Sequence, residues 1–266
     1  MANSTYSLPP GAHVPWGRRF FVFFKQTGQV TLLTKNAIVA LVTTRFEPRA
    51  YLYQLEQLGV RSLGIAIATS IFVGIVMAIQ FAFSLEMFGA KDTVGRIVGL
   101  SEVRELAPSL TALVVGSRIA SGMAAEIGSM AVTEQLDAIR ALGADPIRKL
   151  VVPRVLAGIT IMPLLTCISL VLGVLSALTV CRITFGIPAP FFLATALDTV
   201  RMQDLMAGLG KTPFFGFLIS ILGCHFGMHT FGGTEGVGSS TTSAVVVVSI
   251  TILVADALLT QIFLSF

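Results

Sequence analysis

Hydrophobic residues in this chain are gathered into five long runs, and most polar residues lie in the connections between them. A helix of about 20 apolar residues crosses a hydrocarbon core of about 30 Å, because each residue adds 1.5 Å. The pattern therefore predicts an all-α integral membrane protein with five transmembrane helices, at about residues 62–88, 106–128, 155–181, 212–232 and 242–264. Residues 187–209 carry Asp198, Arg201 and Asp204, so we interpret them as an external connection with a partial helix.

The segment before the first run has a different character. Residues 18–49 mix phenylalanine, leucine and isoleucine with basic residues, and Lys25, Lys35 and Arg45 interrupt them too often for a membrane span. This mixture predicts an amphipathic helix lying in the membrane interface, and packing against the edge of the helix bundle is an alternative. We therefore divide the chain into an N-terminal tail with an interfacial helix (1–61) and a membrane domain (62–266).

Composition excludes a soluble domain. The chain is 54% hydrophobic and 12% charged, whereas about 25% of residues are charged in an ordinary soluble domain. Its three cysteines, Cys167, Cys181 and Cys224, are scattered and form no CxxC pair, so we expect neither a disulfide framework nor a metal site.

Lysine and arginine residues set the expected orientation, because they concentrate in cytoplasmic connections. Seven precede the first span, and the second connection carries Arg140, Arg148, Lys149 and Arg154. The distribution places the N-terminus and the second connection in the cytoplasm. The fourth connection should then be cytoplasmic too, yet it contains Glu235 and no basic residue.

The second connection is an unusually polar block, residues 126–154, between two apolar spans. Gly143 and Pro146 break it into two amphipathic helices, so we expect a helix-turn-helix over residues 131–150 that docks a soluble partner. Asp137, Gly143 and Pro153 resemble the cytoplasmic EAA loop of ABC importer permeases, although the proline comes earlier here. The alternative is a solvated connector with ordinary helix caps.

A closer resemblance is to the MlaE (YrbE) permease family. It rests on spaced blocks in the family's order: RELAP at 104–108 with Arg118, AEIGSM at 125–130, TEQLDA at 133–138, DP at 145–146, VPR at 152–154, PLL at 163–165, Lys211, FG at 215–216, GVG at 236–238 and TT at 241–242. The resemblance implies the permease subunit of an ABC transporter that moves phospholipids or related lipids between the bacterial inner membrane and a periplasmic MCE-domain partner, maintaining outer-membrane lipid asymmetry. It also implies a homodimer and a partner ATPase that binds the ATP.

The same resemblance assigns roles to matching residues. The surface that faces the ATPase would comprise Glu134, Gln135, Asp137, Arg140, Asp145 and Pro146. Arg118 and Glu126 lie about two helical turns apart, and charges at membrane depth usually face a cavity or a partner. We therefore expect them to contact a lipid headgroup or to form a structural ion pair. The acyl chains would contact Phe72, Met77, Phe81 and Phe83, in a cavity enclosed by two copies of the chain.

Other candidate chemistry is weaker. The sequence around Gly210 and Lys211 lacks the first glycine of a phosphate-binding loop, because that position holds Leu205. We therefore expect no ATPase site, no catalytic residue, no cofactor or metal of the chain's own and no nucleic-acid partner. Two alternatives remain open: a proton-coupled secondary transporter of a hydrophobic substrate that uses Asp256, His225 and His229, and an intramembrane enzyme or scaffold.

Overall fold

A computed structural model describes residues 16–43 and 47–265, and every regular element within these ranges is helical. The first 15 residues of the predicted N-terminal segment (1–61) lie outside the described residues. The α-helices are α1 (Trp16–Thr43), α2 (Pro48–Leu55), α3 (Arg61–Met87), α4 (Val94–Ser101), α5 (Thr111–Val132), α6 (Gln135–Ala141), α7 (Val152–Phe185), α8 (Ala189–Thr199), α9 (Met202–Met228) and α10 (Gly233–Ser265).

Within the described residues, five helical stretches are long and apolar enough to cross a membrane, and this confirms the predicted fold class. They cover Pro48–Met87, Lys91–Val132, Ile147–Phe185, Met202–Met228 and Gly233–Phe263. The first three stretches each contain a π-helical segment, at Glu56–Val60, Glu102–Leu110 and Ile147–Val151.

Each stretch begins before the residue at which the sequence pattern placed the start of the span, because the charged residues there do not end the helix. The largest correction concerns residues 187–209: their second half is not a connection, since α9 begins at Met202. Asp204 accepts a hydrogen bond of 2.9 Å from the backbone N–H of Arg201, and this satisfies a donor at the N-terminus of α9. The partial helix expected in the first half is α8.

The transmembrane helices pack through glycines that let two backbones touch. A Cβ atom on Gly216 in α9 would overlap the carbonyl group of Gly158 in α7, and a Cβ on Gly158 would overlap the Ser220 hydroxyl and the carbonyl oxygen of Gly216. Gly74 in α3 lies equally close to the carbonyl of Gly173 in α7. Helix α7 is therefore held between α3 and α9 by contacts that leave no room for a side chain.

Helix α1 packs along the edge of this bundle. Leu33, Ala37 and Ala40 follow helical spacing and are buried, whereas Leu32 and Val42 are exposed. The packing agrees with the alternative interpretation of this segment, and it leaves an apolar face free on the opposite side of the helix.

A buried lysine joins three helical stretches near the start of α9. Lys211 is 2% exposed, and its Nζ lies 2.9 Å from Glu105 Oε1 and 3.3 Å from Asp256 Oδ1. The same Nζ donates to Thr260 Oγ1 at 2.6 Å, and Ser109 donates to the Asp256 carboxylate at 2.7 Å. We call these five residues the Lys211 cluster; they neutralise a charge that is costly at membrane depth.

The glycine contact predicts a large effect of a single methyl group. Gly216→Ala should destabilise the protein by about 1–3 kcal/mol, because the new Cβ meets rigid backbone of α7. Gly64→Ala, in α3, is the matched control, since a Cβ there meets no atom within 4 Å. Thermal unfolding in detergent, followed by circular dichroism, should show a lower midpoint for the first variant alone; equal midpoints would contradict the packing argument.

The Lys211 cluster predicts a second effect. Lys211→Met leaves Glu105 and Asp256 without their shared cation, and removing one partner of a buried pair costs about 3 kcal/mol. Lys91→Met is the control, because Lys91 pairs with Glu86 on the surface and exposed pairs contribute less than about 1 kcal/mol. The same unfolding measurement distinguishes them, and equal losses would show that the cluster contributes nothing beyond a surface pair.

Candidate functional site

The polar block folds into a short helix that is set apart from the spans on both sides. Helix α5 ends at Val132, and Glu134, just before α6, adopts a left-handed backbone conformation with φ of 61°. After α6, Gly143 is left-handed with φ of 76°. The N–H groups of Gly143 and Ala144 donate to the carbonyls of Arg140 and Ile139, which closes the C-terminus of the helix. The expected helix-turn-helix is therefore present, with seven residues in its first helix.

Helix α6 presents a charged outer surface. Leu136 is its one buried residue, whereas Glu134, Gln135, Asp137, Arg140 and Asp145 are exposed. Pro146, the sixth residue expected at this surface, is buried.

Two ion pairs order the surface of the polar block. Arg140 pairs with Asp137 at 2.6 Å, and Arg148 pairs with Asp145 at 3.6 Å. Leu142, which the sequence pattern did not indicate, is 86% exposed beside these charges. A leucine directly before the Gly143 turn is the signal that could have identified it. The surface thus combines fixed charges with one protruding apolar side chain.

A cavity of about 730 Å³ lies between the first and second stretches. It is on the side of the bundle where α6 connects the second stretch to the third. We call it the Arg118 cavity. Its lining residues are Tyr53, Gln54, Gln57, Leu58 and Arg61 from the first stretch, and Arg118, Ile119, Ser121, Gly122, Met123, Ala125 and Glu126 from α5. Basic and amide side chains thus meet apolar ones, as a site for an amphipathic ligand requires.

Arg118 and Glu126 both line this cavity, but they do not pair with each other as one of our two expectations proposed. Arg118 Nη1 donates to Ser62 Oγ at 2.8 Å. Glu126 instead pairs at 2.7 Å with Arg154, which lies at the start of α7 and is 3% exposed. The only sequence signal for this partner is a basic residue beside Pro153. Glu126 therefore braces α5 against α7.

The four apolar side chains expected to contact acyl chains lie along α3 and away from the Arg118 cavity. Phe72 and Phe83 are 66% and 62% exposed. Met77 and Phe81 are half-buried, and Phe81 packs against a smaller core formed by residues of α3, α4, α7 and α8. A single copy of the chain leaves Phe72 and Phe83 on its outer face.

A second cavity, of about 420 Å³, opens beside the Lys211 cluster at the opposite end of the spans. Arg104 and Asp204 line it, and they are joined by a hydrogen bond of 2.7 Å from Nε to Oδ1.

The residues considered as proton carriers lie at opposite ends of the transmembrane helices. Asp256 belongs to the Lys211 cluster, whereas His225 lies on α9 about 20 Å from Lys211, fourteen residues at 1.5 Å each. Its ring centroid lies 4.4 Å from that of His229, and the two ring planes are tilted by 40°.

Comparison with known proteins places this architecture in one family. The model of the family described as Permease MlaE matches residues 51–262. A probable ABC transporter permease protein of Synechocystis sp. is 41% identical over 241 residues, which are 91% of this chain and 89% of that protein. Protein TRIGALACTOSYLDIACYLGLYCEROL 1, chloroplastic, of Arabidopsis thaliana is 37% identical over 88% of this chain and 67% of its own length. A probable ABC transporter permease protein of Rickettsia felis is 36% identical over 93% and 95%. With five helical stretches that can cross a membrane, the chain is a multi-pass membrane protein of the ABC transporter permease type, and it belongs to the MlaE permease family.

Proposed function

We propose that this chain is the permease subunit of an ATP-driven transporter that moves phospholipids or related lipids between a membrane and an MCE-domain protein beyond it. The observation that carries the proposal is the exposed, charged helix α6 inserted between transmembrane helices of an ABC-type permease. Such a helix offers a charged docking surface to a soluble partner, and in this proposal that partner is an ATPase subunit that supplies the energy for transport. ATP is then bound by the partner, and the chain needs no cofactor of its own.

Coupling to the ATPase uses the surface around α6. Glu134, Gln135, Asp137, Arg140 and Asp145 meet the ATPase, and buried Pro146 fixes the turn beneath them. The polar block leads directly into the third stretch, because the π-helical segment Ile147–Val151 continues into α7 without a break. ATP-driven movement of the partner is thereby passed to the transmembrane helices.

The lipid is handled by two kinds of surface. Arg118, in the cavity that Glu126 also lines, meets the headgroup, while Phe72, Met77, Phe81 and Phe83 meet the acyl chains. Exposed Phe72 and Phe83 support a homodimer, since a second copy would enclose the lipid against this face of α3. A relative that bears the name of a galactosylated diacylglycerol further supports a lipid substrate.

The proposed location is the inner membrane of a bacterium, with α6 in the cytoplasm and the MCE-domain partner in the periplasm. The concentration of basic residues in the polar block supports this orientation. Lipid exchange in this arrangement would maintain the asymmetry of the outer membrane.

Reversing the charges of α6 tests the coupling surface. Exchanging the two residues, Asp137→Arg with Arg140→Asp, preserves their ion pair but inverts the pattern that the ATPase meets. Juxtaposed like charges cost several kcal/mol, so recovery of the ATPase with the tagged permease should fall about tenfold or more. The exchange of Lys91 and Glu86, an exposed pair at the other end of the spans, is the matched control. Unchanged ATPase recovery from the α6 variant would refute this surface.

Gentle extraction of the tagged protein from its native membrane tests the whole assignment. Mass spectrometry should identify an ABC ATPase, an MCE-domain protein and bound phospholipid in the purified sample. ATP should drive lipid transfer in vesicles reconstituted with this assembly, whereas a proton gradient alone should not. Recovery without any ATPase, together with transfer driven by the gradient, would favour the proton-coupled alternative.

A further inference from the structure

We infer that the Arg118 cavity selects anionic phosphate headgroups over zwitterionic ones, with Arg61 and Arg118 as its phosphate-binding residues. The inference rests on the proposed function and names the class of lipid that the permease takes. It assigns parts to Arg61, Gln54 and Gln57 that neither the sequence pattern nor the family blocks indicate.

The first observation is an excess of positive charge. Arg61 and Arg118 are exposed and line the same cavity, and Ser62, next to Arg61 in the chain, accepts the hydrogen bond from Arg118. Within residues 16–43 and 47–265, neither arginine has a carboxylate close enough to form an ion pair, and Arg118 donates only to a neutral hydroxyl. Guanidinium groups bind phosphate through paired, charge-assisted hydrogen bonds.

The second observation is that the one carboxylate of the cavity is already neutralised. Glu126 pairs with buried Arg154, which does not line the cavity. The positively charged ammonium or choline of a zwitterionic headgroup would therefore meet two arginines without carboxylate partners. The only carboxylate among the described lining residues, that of Glu126, is already paired with Arg154. A headgroup with a net negative charge is attracted by the same two arginines. The selectivity arises because the arginines repel the cationic part of a zwitterionic headgroup.

The third observation is a buried amide directed at the same space. Gln54 is 6% exposed and lines the cavity, and its side chain makes no hydrogen bond to any other residue that the structure describes. The amide atoms keep access to the cavity, so a ligand or ordered water there can make the hydrogen bonds that the protein does not supply. Gln57 lies beside it in the lining. The two amides provide donors for phosphate oxygens that the arginines leave free.

The cavity also lies at a depth that suits a headgroup. Its lining residues lie in the first part of the first stretch and in the second half of the second stretch, the half that leads to α6. A lipid of the leaflet on that side would place its phosphate there. Its acyl chains would extend toward the middle of the bilayer along the apolar part of α3.

A competition between two lipids measures the selectivity. The full-length protein, purified with its partners, is incubated with micelles containing equal amounts of phosphatidylglycerol and phosphatidylcholine, repurified, and its retained lipid quantified by mass spectrometry. The wild-type protein should retain an excess of phosphatidylglycerol. Arg61→Gln and Arg118→Gln should each lower that excess about three- to tenfold, because each change removes one guanidinium that repels the choline ammonium, whereas both lipids keep the same phosphate.

Control variants separate this site from general charge effects and from misfolding. Arg182→Gln removes an exposed arginine from the other end of α7 and should leave the lipid ratio unchanged. Arg61→Lys and Arg118→Lys keep the charge and should retain most of the preference even where the glutamine variants fold poorly. A further arm adds excess inorganic phosphate: displacement of the lipid shows that free phosphate occupies the site, and no displacement shows that the lipid headgroup is required.

Three results would overturn the inference. An equal ratio of the two lipids in the wild-type protein removes the selectivity, and an unchanged ratio in both glutamine variants removes the arginines from it. Variants that alter the size of the assembly but not the lipid ratio would show that the arginines pair with carboxylates of a second copy. Total phospholipid from the same samples keeps the proposals distinct, because a protein that binds no phospholipid refutes lipid transport itself.

Discussion

Helices in a hydrocarbon solvent gain nothing by hiding apolar side chains from one another, so their association depends on how closely their backbones approach. In this protein the approach is made by glycines that face a neighbouring carbonyl or a small residue. Gly158 and Gly216 bring α7 and α9 together, Gly74 and Gly173 bring α3 and α7 together, and Gly223 lies against Ala120 between α5 and α9. Four of the five stretches are thereby fixed in one arrangement, on which both cavities depend.

That arrangement also explains why so many ionisable groups can lie within the stretches. Each end of the bundle carries a set of charges joined across helices that are far apart in sequence. At one end Lys211 holds Glu105 and Asp256, and at the other Arg154 holds Glu126. The carboxylates neutralise the buried cations Lys211 and Arg154, and the pairs connect the helices. The arginines of the Arg118 cavity differ because no carboxylate of the described residues pairs with them, so their charge is available to a ligand.

The sequence predicted the number and order of the spans, because an apolar run of sufficient length has few other uses. It also located the polar block, since Gly143 and the charges around it interrupt two such runs. The sequence pattern could not predict where the helices start. Asp204 and Lys211 are charged, and charged residues argue against a membrane helix unless they are neutralised. Their partners, Arg104 and Glu105, lie in another stretch and cannot be identified from the sequence. The same limit hid the pairing of Glu126 with Arg154. Residue type shows that a charge is present, but only packing shows whether it is neutralised.

Helix α6 has mechanical properties that follow from its two ends. A left-handed residue stands just outside each end, Glu134 before it and Gly143 after it, and Leu136 alone anchors it in the main core. Changes in a few backbone dihedrals at these ends would tilt the whole helix without breaking its internal hydrogen bonds. Leu136, near the N-terminal end of α6, would be the pivot of this tilt. Arg140 and Leu142, near the other end, would move farthest. In the proposed mechanism, a displacement of that end by the ATPase would turn α6 and move the start of α7, which follows the turn.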